Sequence, residues 1–524
     1  MKTNLNQNRL LNFSSQIVRS NYLILLFLIL GLIPIWLVRF LPFSDYPDWL
    51  YQGHLLKEFL TGTTSPLQEN FNLVFVPVPN SGSTILIGLL NLFLPIEVAG
   101  KILLSIWVIS FPLSIIYLFR VVHSGYSSLE LIGFTLIYNW FFLAGFASFI
   151  LSLPLVFFTL AYIYKNIREL SLRQGFLVGL LLLATYFCHL LGFMALLIGL
   201  TVLFVVLRPP PKVFLSLGLA STPPLLLLMW YVLRQISSST PEFTTNIGRK
   251  AGAFIRPLLL FFEFKPFTNL QFTTLANLVW LGGLLIAVLF SIKWSRKGVI
   301  ENKVWLIMGL VFLVVVLILP IRFGGTVSPD ERFVLFGVIF LLLSFKTTES
   351  KLIPLILSGL ILFIIGFNIF SLSNANRDIE QLNKVGLELF GDGGKIQVIA
   401  IRSYPFPENC SASREVLPSV RLWVGTRQMI YSLLETKNGG VVSSIFDSGM
   451  FQFKGIKENA DLKYDELDQT NFRQNPAAEL AVANLTVHSI MVVACPEDIV
   501  TIIGLINPLY KQQQISTYVS IFKS

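Results

Sequence analysis

The sequence predicts a polytopic α-helical membrane protein with a small C-terminal α/β domain. The chain has 524 residues, of which 54% are hydrophobic and only 13% are charged, and its mean hydropathy is +0.71. A soluble protein carries about 25% charged residues and could not bury this much apolar surface in one core. The apolar stretches are unbroken runs, such as residues 22–41 and 352–372, long enough to cross about 30 Å of hydrocarbon as helices. A β-barrel would instead need short alternating strands.

A basic N-terminal segment precedes the first predicted membrane helix. Residues 1–20 contain Lys2, Arg9 and Arg19 and no acidic residue, and the apolar run that follows is too long for a cleaved signal peptide. Basic residues beside a membrane helix favour the cytoplasmic side. We therefore expect a cytoplasmic segment over 1–20 and a first external loop over 42–80.

The transmembrane domain is expected over residues 21–372, with about 12 or 13 helices. Several apolar runs are shorter than the usual span of about 20 residues, which indicates tilted, broken or paired helices around an internal cavity. Segment 253–266 is amphipathic and could be interfacial, re-entrant or a thirteenth helix. The other predicted segments cover 82–97, 102–120, 128–145, 148–164, 175–188, 190–207, 213–233, 273–293, 304–321, 333–346 and 352–372.

From Ser373 onward the composition is that of a globular protein. A soluble α/β domain, expected outside the cytoplasm, is predicted over residues 373–524. An odd number of membrane helices would place this domain and the first loop on the same face of the membrane. The predicted elements are an amphipathic helix over 376–390, a strand over 395–401, a strand over 487–494, a helix over 496–509 and a final strand over 515–522.

The charges are divided unevenly between these two parts. Residues 1–372 hold 25 Lys or Arg and 13 Asp or Glu, whereas residues 373–524 hold 14 and 16. The basic excess of the membrane part indicates orientation and contact with anionic lipid, so the pI of 9.4 does not predict nucleic-acid binding. Cys188 lies in an apolar run and is expected to pack, while Cys410 and Cys495 could form one disulfide in an oxidising compartment.

Two carboxylates open the first external loop, in Ser44-Asp45-Tyr46-Pro47-Asp48-Trp49. Because proline suits the first turn of a helix, Asp45 and Asp48 would lie on one side of a helix N-terminus. Asp45 could cap that helix, with Asp48 compensating its dipole. Alternatively, one of these carboxylates could act as general base on an acceptor hydroxyl, while the other helps to position it or a metal. His54 would face another side of this helix, where a packing role and a ligand role are both open.

Basic candidates lie later in the chain, around the segment 321–333. Arg332 begins a predicted helix and could grip a lipid phosphate bidentately, while Arg322 is expected to be an interfacial anchor. Asp330 and Glu331 would compensate the helix N-terminus. His189 lies where two short apolar runs meet, and an ionisable group at membrane depth is a functional candidate. Four cations flank the amphipathic segment and are expected to hold it on anionic lipid, namely Arg249, Lys250, Arg256 and Lys265.

Several of these residues carry a resemblance to a known family. Asp45-Tyr46-Pro47 after the first membrane helix resembles the first-loop acidic motif of the GT-C glycosyltransferases, which are integral membrane enzymes. The stretch from Asn139 through Gly145-Phe146 to Pro154, and the segment Tyr186-Phe-Cys-His189-Leu-Leu-Gly-Phe193, are similar to short motifs of bacterial multi-pass members. Where those relatives often have Asp-x-Pro-x-His, this chain has Trp49 in place of the histidine.

The resemblance implies an inverting transfer of a sugar from a polyprenyl-phosphate carrier to a lipid, glycan or protein acceptor in the bacterial plasma membrane. Asp45 would be the base and Asp48 a second catalytic residue, while His54, Asn139, His189 and Arg332 would bind substrate. No organic cofactor is expected, no metal ligand is assigned, and a divalent metal is open. A transporter or flippase of a lipid-linked solute and a non-catalytic envelope scaffold are the alternatives. Nearly all acidic residues of the membrane part lie in loops or at helix ends, which favours the enzyme.

Overall fold

The structure is a computed structural model in which α-helices predominate. It describes residues 21–62, 66–74, 77–235, 241–259, 270–292, 300–323, 326–345, 350, 352–391, 396–402, 429–436, 442, 450–453, 462–468, 474, 489–493, 501, 511–516 and 519–523. Cys410, Cys495, Lys265 and, apart from Thr501, the helix predicted over 496–509 lie outside these ranges.

The described helices follow the apolar runs of the sequence. They are α1 (Asn21–Leu37), α2 (Tyr46–Thr61), α3 (Pro66–Asn70), α4 (Gly82–Asn91), α5 (Ile96–Val122), α6 (Ile132–Thr135), α7 (Trp140–Leu143), α8 (Ala147–Asn166), α9 (Leu172–Cys188), α10 (Leu190–Leu207), α11 (Pro211–Gln235), α12 (Ile247–Ile255), α13 (Leu270–Ser291), α14 (Lys303–Ile318), α15 (Val334–Ser344), α16 (Leu352–Gly391) and α17 (Met429–Thr436). Two 3₁₀ helices, Arg256–Leu258 and Glu331–Phe333, follow α12 and precede α15.

Five helices in the described ranges are long and apolar enough to cross a membrane. They contain the spans Ile96–Val122, Ala147–Asn166, Leu190–Leu207, Pro211–Arg234 and Leu352–Glu388. Even the shortest, with 18 residues, measures about 27 Å, close to the thickness of a hydrocarbon core. The chain is therefore a helical membrane protein, and the count of 12 or 13 helices stays a prediction.

The helices pack pairwise around an aromatic core. Helix α5 packs on α8, α14 on α15, α2 on α4, and α9 on α11. Phe157 of α8 meets Phe336 and Phe340 of α15 at ring-centroid distances of 5.3 and 5.8 Å, and Phe312 of α14 lies 5.2 Å from Phe340. This core holds the 3₁₀ helix Glu331–Phe333 against the bundle.

The membrane helix predicted over 128–145 is wrong, because this stretch forms only the short helices α6 and α7 with turns between them. Asn139 starts α7 by accepting a hydrogen bond from the Phe142 N–H, and Gly145, with φ +78°, adopts a left-handed conformation. An asparagine cap and a left-handed glycine both interrupt a continuous helix. Hydropathy alone does not reveal these interruptions.

Helix α16 continues through the boundary predicted at residue 372. The amphipathic stretch 376–390 is therefore the last part of the same 40-residue helix. Asn376 accepts a hydrogen bond from the Phe40 N–H, and the Ser432 Oγ lies 2.7 Å from the Asn383 Oδ1, which joins α16 to α17.

Five strands beyond α16 form one mixed sheet, namely β4 (Ile396–Arg402), β6 (Leu462–Asp468), β7 (Ser489–Val493), β8 (Lys511–Ser516) and β9 (Val519–Lys523). Their order in the sheet is β6-β4-β7-β9-β8. β4 pairs in parallel with β6 and β7, while β9 pairs antiparallel with β7 and β8. The single final strand predicted over 515–522 is wrong, because its two ends belong to the antiparallel strands β8 and β9. The α/β domain itself stays a prediction.

Residues of the first loop contact residues of the C-terminal segment. β1 (Phe71–Leu73) pairs antiparallel with β5 (Phe451–Phe453), and the Tyr51 hydroxyl accepts a hydrogen bond from the Val442 N–H. The Tyr431 hydroxyl donates to the Leu41 carbonyl at 3.2 Å. Both segments therefore lie at the end of the molecule where α2 begins. The two-residue strands β2 (Arg322–Phe323) and β3 (Thr326–Val327) form a separate hairpin.

Candidate functional site

Asp45 occupies the N-cap position of α2 without capping the helix. Helix α2 begins at Tyr46 with Pro47 in its first turn, as the sequence predicts. The Asp45 side chain makes no capping hydrogen bond, and its Oδ1 accepts one from the Ser44 hydroxyl at 3.0 Å. The Asp45 carboxylate therefore does not cap α2, and one of its oxygens binds the Ser44 hydroxyl instead.

A tight turn at residues 144–145 fixes the backbone of Asp45. The Asp45 N–H donates to the Ala144 carbonyl, and the Trp49 indole N–H donates to the Gly145 carbonyl, both at 3.1 Å. Gly145 has φ +78°, and a Cβ there would lie 2.7 Å from the Tyr46 nitrogen. Only glycine permits this approach, so the turn and the start of α2 form one unit.

Arg332 lies in the 3₁₀ helix before α15 and is only 7% exposed. Its guanidinium carbon lies 4.6 Å from the ring centroid of Phe146 and 5.1 Å from that of Phe149. These cation–π contacts favour the charged form of the guanidinium. Burial lowers the pKa of Arg332 to about 10, while the nearby carboxylates of Asp45 and Glu331 act to raise it. Arg332 is therefore a buried cation, and Asp45 lies close enough to act on its charge.

His189 joins α9 to α10 and lies outside both helices. Its backbone is extended, with φ −163° and ψ 132°, and its Nδ1 accepts a hydrogen bond from the Leu191 N–H at 3.0 Å. The Leu190 N–H donates to the Asn80 Oδ1 at 3.2 Å, so a residue of the first loop also holds this helix start. The imidazole packs edge-on against Phe149 with the ring centroids 5.2 Å apart.

The structure brings His189 and Arg332 together. Arg332 Nη1 lies 2.8 Å from His189 Nε2. Burial, and secondarily the positive charge of Arg332, lowers the pKa of His189 well below its ordinary value. The imidazole is therefore neutral at physiological pH. The Asp45 N–H binds the Ala144 carbonyl, and Arg332 packs on Phe146 two residues further along, so three of the predicted site residues lie in one region.

Two fully buried acids beside Arg332 bind cations of α12 and the following 3₁₀ helix. Glu331 Oε1 accepts hydrogen bonds from Arg249 Nη1 at 2.7 Å and from Arg256 Nη1 at 2.9 Å. Lys250 Nζ donates to Asp330 Oδ2 at 3.0 Å. Asp330 and Glu331 therefore do more than compensate a helix dipole, and three of the cations expected to bind lipid are paired within the chain. The pKa of Glu331 is raised by burial, against the lowering effect of Arg256 and Arg249.

Asp48 and His54 lie further along α2. Asp48 is 2% exposed and lies one turn after Asp45. His54 Nε2 lies 3.8 Å from Glu58 Oε1 of the same helix. His54 is nine residues beyond Asp45, which corresponds to about 13 Å along the helix axis. The catalytic role of Asp48 and the substrate-binding role of His54 stay predictions.

Asn139 and Arg322 occupy contrasting environments. Asn139 is fully buried, and its amide donates to the Leu136 carbonyl at 3.0 Å in addition to capping α7. It supports the turn that reaches Gly145, and its predicted contact with substrate stays untested. The Arg322 side chain is 64% exposed and its Nε lies 3.8 Å from Glu242 Oε2, as suits a surface residue.

The sequence assigns no role to Phe146, Phe149, Gly145 or Asn80. The first three lie in the stretch 139–154, whose pattern does not show that Gly145 holds Asp45 or that the two phenylalanines contact Arg332. Asn80 has φ +68°, and its carbonyl accepts a hydrogen bond from the Ser148 hydroxyl at 2.9 Å. Its turn-forming Asn-Ser-Gly context was the one available signal.

The arrangement can bind an anion and accept a proton in neighbouring places. Arg332 supplies a positive charge away from bulk water, where charge interactions are strong, and Asp45 supplies a carboxylate base. Within the described ranges, no three His, Cys, Asp or Glu side chains come together as a metal site would require.

Comparison with known proteins assigns no family to this chain. No protein-family model matches it, and no curated protein is significantly similar to it.

Proposed function

We propose that this chain is a multi-pass glycosyltransferase of the bacterial plasma membrane, resembling the GT-C superfamily. It would move a sugar from a polyprenyl-phosphate carrier to a lipid, glycan or protein acceptor of the cell envelope. The observation that carries the proposal is the contact of the buried Arg332 guanidinium with Phe146, which directly follows the turn that binds the backbone of Asp45. Asp45 and Arg332 come from segments far apart in the chain.

In this mechanism Asp45 accepts the proton of the acceptor hydroxyl as that oxygen attacks the sugar. The bond between the sugar and the carrier phosphate breaks, and its electron pair stays on the phosphate oxygen. Arg332 offsets the negative charge that develops there. Hydrogen bonds from the backbone of residue 45 and from Ser44 hold Asp45 on a rigid element, as a positioned base requires.

The arrangement of Glu331 explains how a buried arginine is kept in place. Its neighbour Arg332 lies in the same short 3₁₀ helix, which Arg249 and Arg256 anchor through Glu331 Oε1. The site is therefore supported by residues that do not contact the reacting groups. Such support is typical of sites that stabilise a developing charge.

The test is sugar transfer in proteoliposomes, using a panel of polyprenyl-phosphate sugars and crude envelope acceptor. We expect Asp45→Asn to abolish transfer while the purified protein keeps its wild-type elution volume and thermal unfolding. Asp48→Asn is measured beside it, and Glu58→Gln, a carboxylate of the same helix, is the matched control. Wild-type transfer by Asp45→Asn would rule out Asp45 as the base.

The ion pairs of Asp330 and Glu331 favour one second candidate, a transporter of a lipid-linked solute. Paired buried charges are common on substrate and ion pathways of transporters. In the same proteoliposomes, such a protein would move the carrier lipid between leaflets without forming product, and Asp45→Asn would leave that movement intact.

A further inference from the structure

The contact between His189 and Arg332 leaves a buried N–H group without an acceptor. A neutral imidazole carries one N–H donor and one acceptor lone pair. Both of its nitrogens face N–H donors here, because Leu191 N lies 3.0 Å from Nδ1 and Arg332 Nη1 lies 2.8 Å from Nε2. A single lone pair cannot satisfy both donors. Either tautomer therefore sets two N–H groups against each other.

A second unsatisfied donor lies in the same place. The Arg332 Nε is buried and has no hydrogen-bond partner among the described residues. An unpartnered donor in a low-dielectric site costs free energy, more so when it belongs to a charged group. Contacts with the rings of Phe146 and Phe149 hold the guanidinium in this position, although its Nε–H has no acceptor there.

The tautomer follows from the geometry of the helix start. The Leu191 N–H is part of the α10 backbone, so its direction toward Nδ1 is fixed by the helix. The side chain of Arg332 is not fixed in this way, and its guanidinium can donate to another acceptor. The proton of His189 then lies on Nε2 and points toward Arg332. His189 also immediately precedes α10, an 18-residue helix whose N-terminal dipole favours negative charge nearby.

We propose that His189 and Arg332 form a seat for a phosphate oxyanion, which accepts hydrogen bonds from His189 Nε2 and from the Arg332 guanidinium. The occupant would be the phosphate of the carrier lipid if the proposed function holds, but the seat rests on the donors alone. Arginine forms geometrically specific hydrogen bonds with phosphate, and a tetrahedral anion can accept from donors that diverge. His189 is thereby assigned as a donor to the ligand in its neutral form.

The charges around the seat suit an anion. Arg332 is the cation in contact with His189, and Asp45 and Glu331 are the carboxylates that act on Arg332. Glu331 is already paired with Arg249 and Arg256. A bound phosphate would add negative charge beside Asp45 and make that carboxylate a stronger base.

The seat is tested by nitrogen NMR of the full-length protein in detergent, with ¹⁵N-labelled histidine. The chain has only four histidines, so His189→Gln assigns the His189 signals. Before ligand addition, we expect the two imidazole nitrogens of His189 to show the neutral pattern with the proton on Nε2. Farnesyl phosphate should shift these signals in a saturable manner, while farnesol should not.

Inorganic phosphate is the second arm and distinguishes the source of the anion. A saturable shift with inorganic phosphate alone would identify a site for free phosphate, and a shift with farnesyl phosphate alone would identify a lipid headgroup site. Both results support the seat. No shift with either phosphate, or a His189 proton on Nδ1, would overturn it.

Variants separate the seat from general effects on the fold. Arg332→Gln should weaken farnesyl phosphate binding by about tenfold or more, as expected for loss of a charge-assisted hydrogen bond. If Arg332→Gln does not fold, Arg332→Lys keeps the charge but loses the fork of donors, and it should also bind more weakly. Arg322→Gln is the matched control, since Arg322 is exposed and paired with Glu242.

The outcome also separates this inference from the proposed function. Binding of farnesyl phosphate without any sugar transfer in proteoliposomes would leave the seat intact and refute the enzyme. Sugar transfer by wild type, without any shift of the His189 NMR signals on addition of phosphate ligands, would support the enzyme and refute the seat.

Discussion

Arg332 Nη1 lies 2.8 Å from His189 Nε2, although the two residues are 143 positions apart in the chain. Phe149 contacts both, with its ring centroid 5.1 Å from the Arg332 guanidinium carbon and 5.2 Å from the centroid of the His189 ring. The start of α8 thus joins a residue between α9 and α10 to one that precedes α15. Three separate connections of the helical bundle meet at this point, and the site depends on all of them.

Gly145→Ala should destabilise the protein and displace Asp45. Alanine at φ +78° is strained by about 1–3 kcal/mol, and its Cβ would lie 2.7 Å from the Tyr46 nitrogen and 3.0 Å from the Asp45 nitrogen. Thermal unfolding in detergent measures the loss. Gly218→Ala in α11 is the control, because no atom lies within 4 Å of its added Cβ, and it should be neutral or slightly stabilising. Equal unfolding temperatures for the two variants would contradict the role of the turn at residues 144–145 in holding the start of α2.

Glu331→Gln should be strongly destabilising. The side chain of Glu331 is fully buried, and the substitution removes the negative charge that pairs with Arg249 and Arg256. Breaking a buried ion pair by removing one partner costs about 3 kcal/mol or more. Glu242→Gln is the matched control, since its pair with Arg322 is more than half exposed and should contribute less than about 1 kcal/mol. Chemical denaturation monitored by tryptophan fluorescence gives the free energy of unfolding of both variants. If Glu242→Gln lowers it as much as Glu331→Gln does, the buried ion pairs do not stabilise the protein more than the exposed pair.

Trp49→Phe should loosen the attachment of α2 to the turn at Gly145. The indole N–H donates to the Gly145 carbonyl in a buried position, and its loss should cost about 1 kcal/mol. Trp36→Phe removes the indole that donates to the Ser105 hydroxyl from a side chain 46% exposed, and it should cost less. If sugar transfer is observed, Trp49→Phe should lower it more than Trp36→Phe does. An unaffected Trp49→Phe variant would show that this position supports neither the fold nor the site.

The membrane helices could be predicted from the sequence where hydropathy is continuous. The runs 190–207 and 213–233 match α10 (Leu190–Leu207) and α11 (Pro211–Gln235) closely. The run 128–145 is equally apolar, but a buried asparagine cap at Asn139 and a left-handed Gly145 divide it. Those two features depend on contacts with other segments, and no single-sequence pattern contains them.

The candidate site could be predicted only as separate residues. Asp45, His189 and Arg332 each stood out by position and type, yet their proximity depends on the packing of distant connections. Asp330 and Glu331 looked like dipole-compensating residues because the sequence does not show that α12 brings Lys250 and Arg249 to them. Local rules describe the start of a helix, whereas these ion pairs arise from tertiary structure.

His189 should make the stability of the protein depend on pH. The pKa of His189 in the folded chain lies well below 6.5, because the ring is buried and faces Arg332, whereas an unfolded chain should show a pKa of about 6.5. Below pH 6.5 the unfolded chain therefore binds a proton that the folded chain does not. Stability from this residue is fully present above pH 6.5 and is lost as the pH falls toward the folded pKa.

The measurement is chemical denaturation of wild type and His189→Gln at pH 7.5 and pH 5.5. Wild type should lose about 1.4 kcal/mol more than His189→Gln between these two pH values, which is one pKa unit of differential proton binding. Burial also lowers the pKa of His123, so His123→Gln should remove a separate part of the same loss. An identical pH dependence in wild type and His189→Gln would mean that folding does not lower the pKa of His189, which would contradict the buried, neutral imidazole on which the phosphate seat depends.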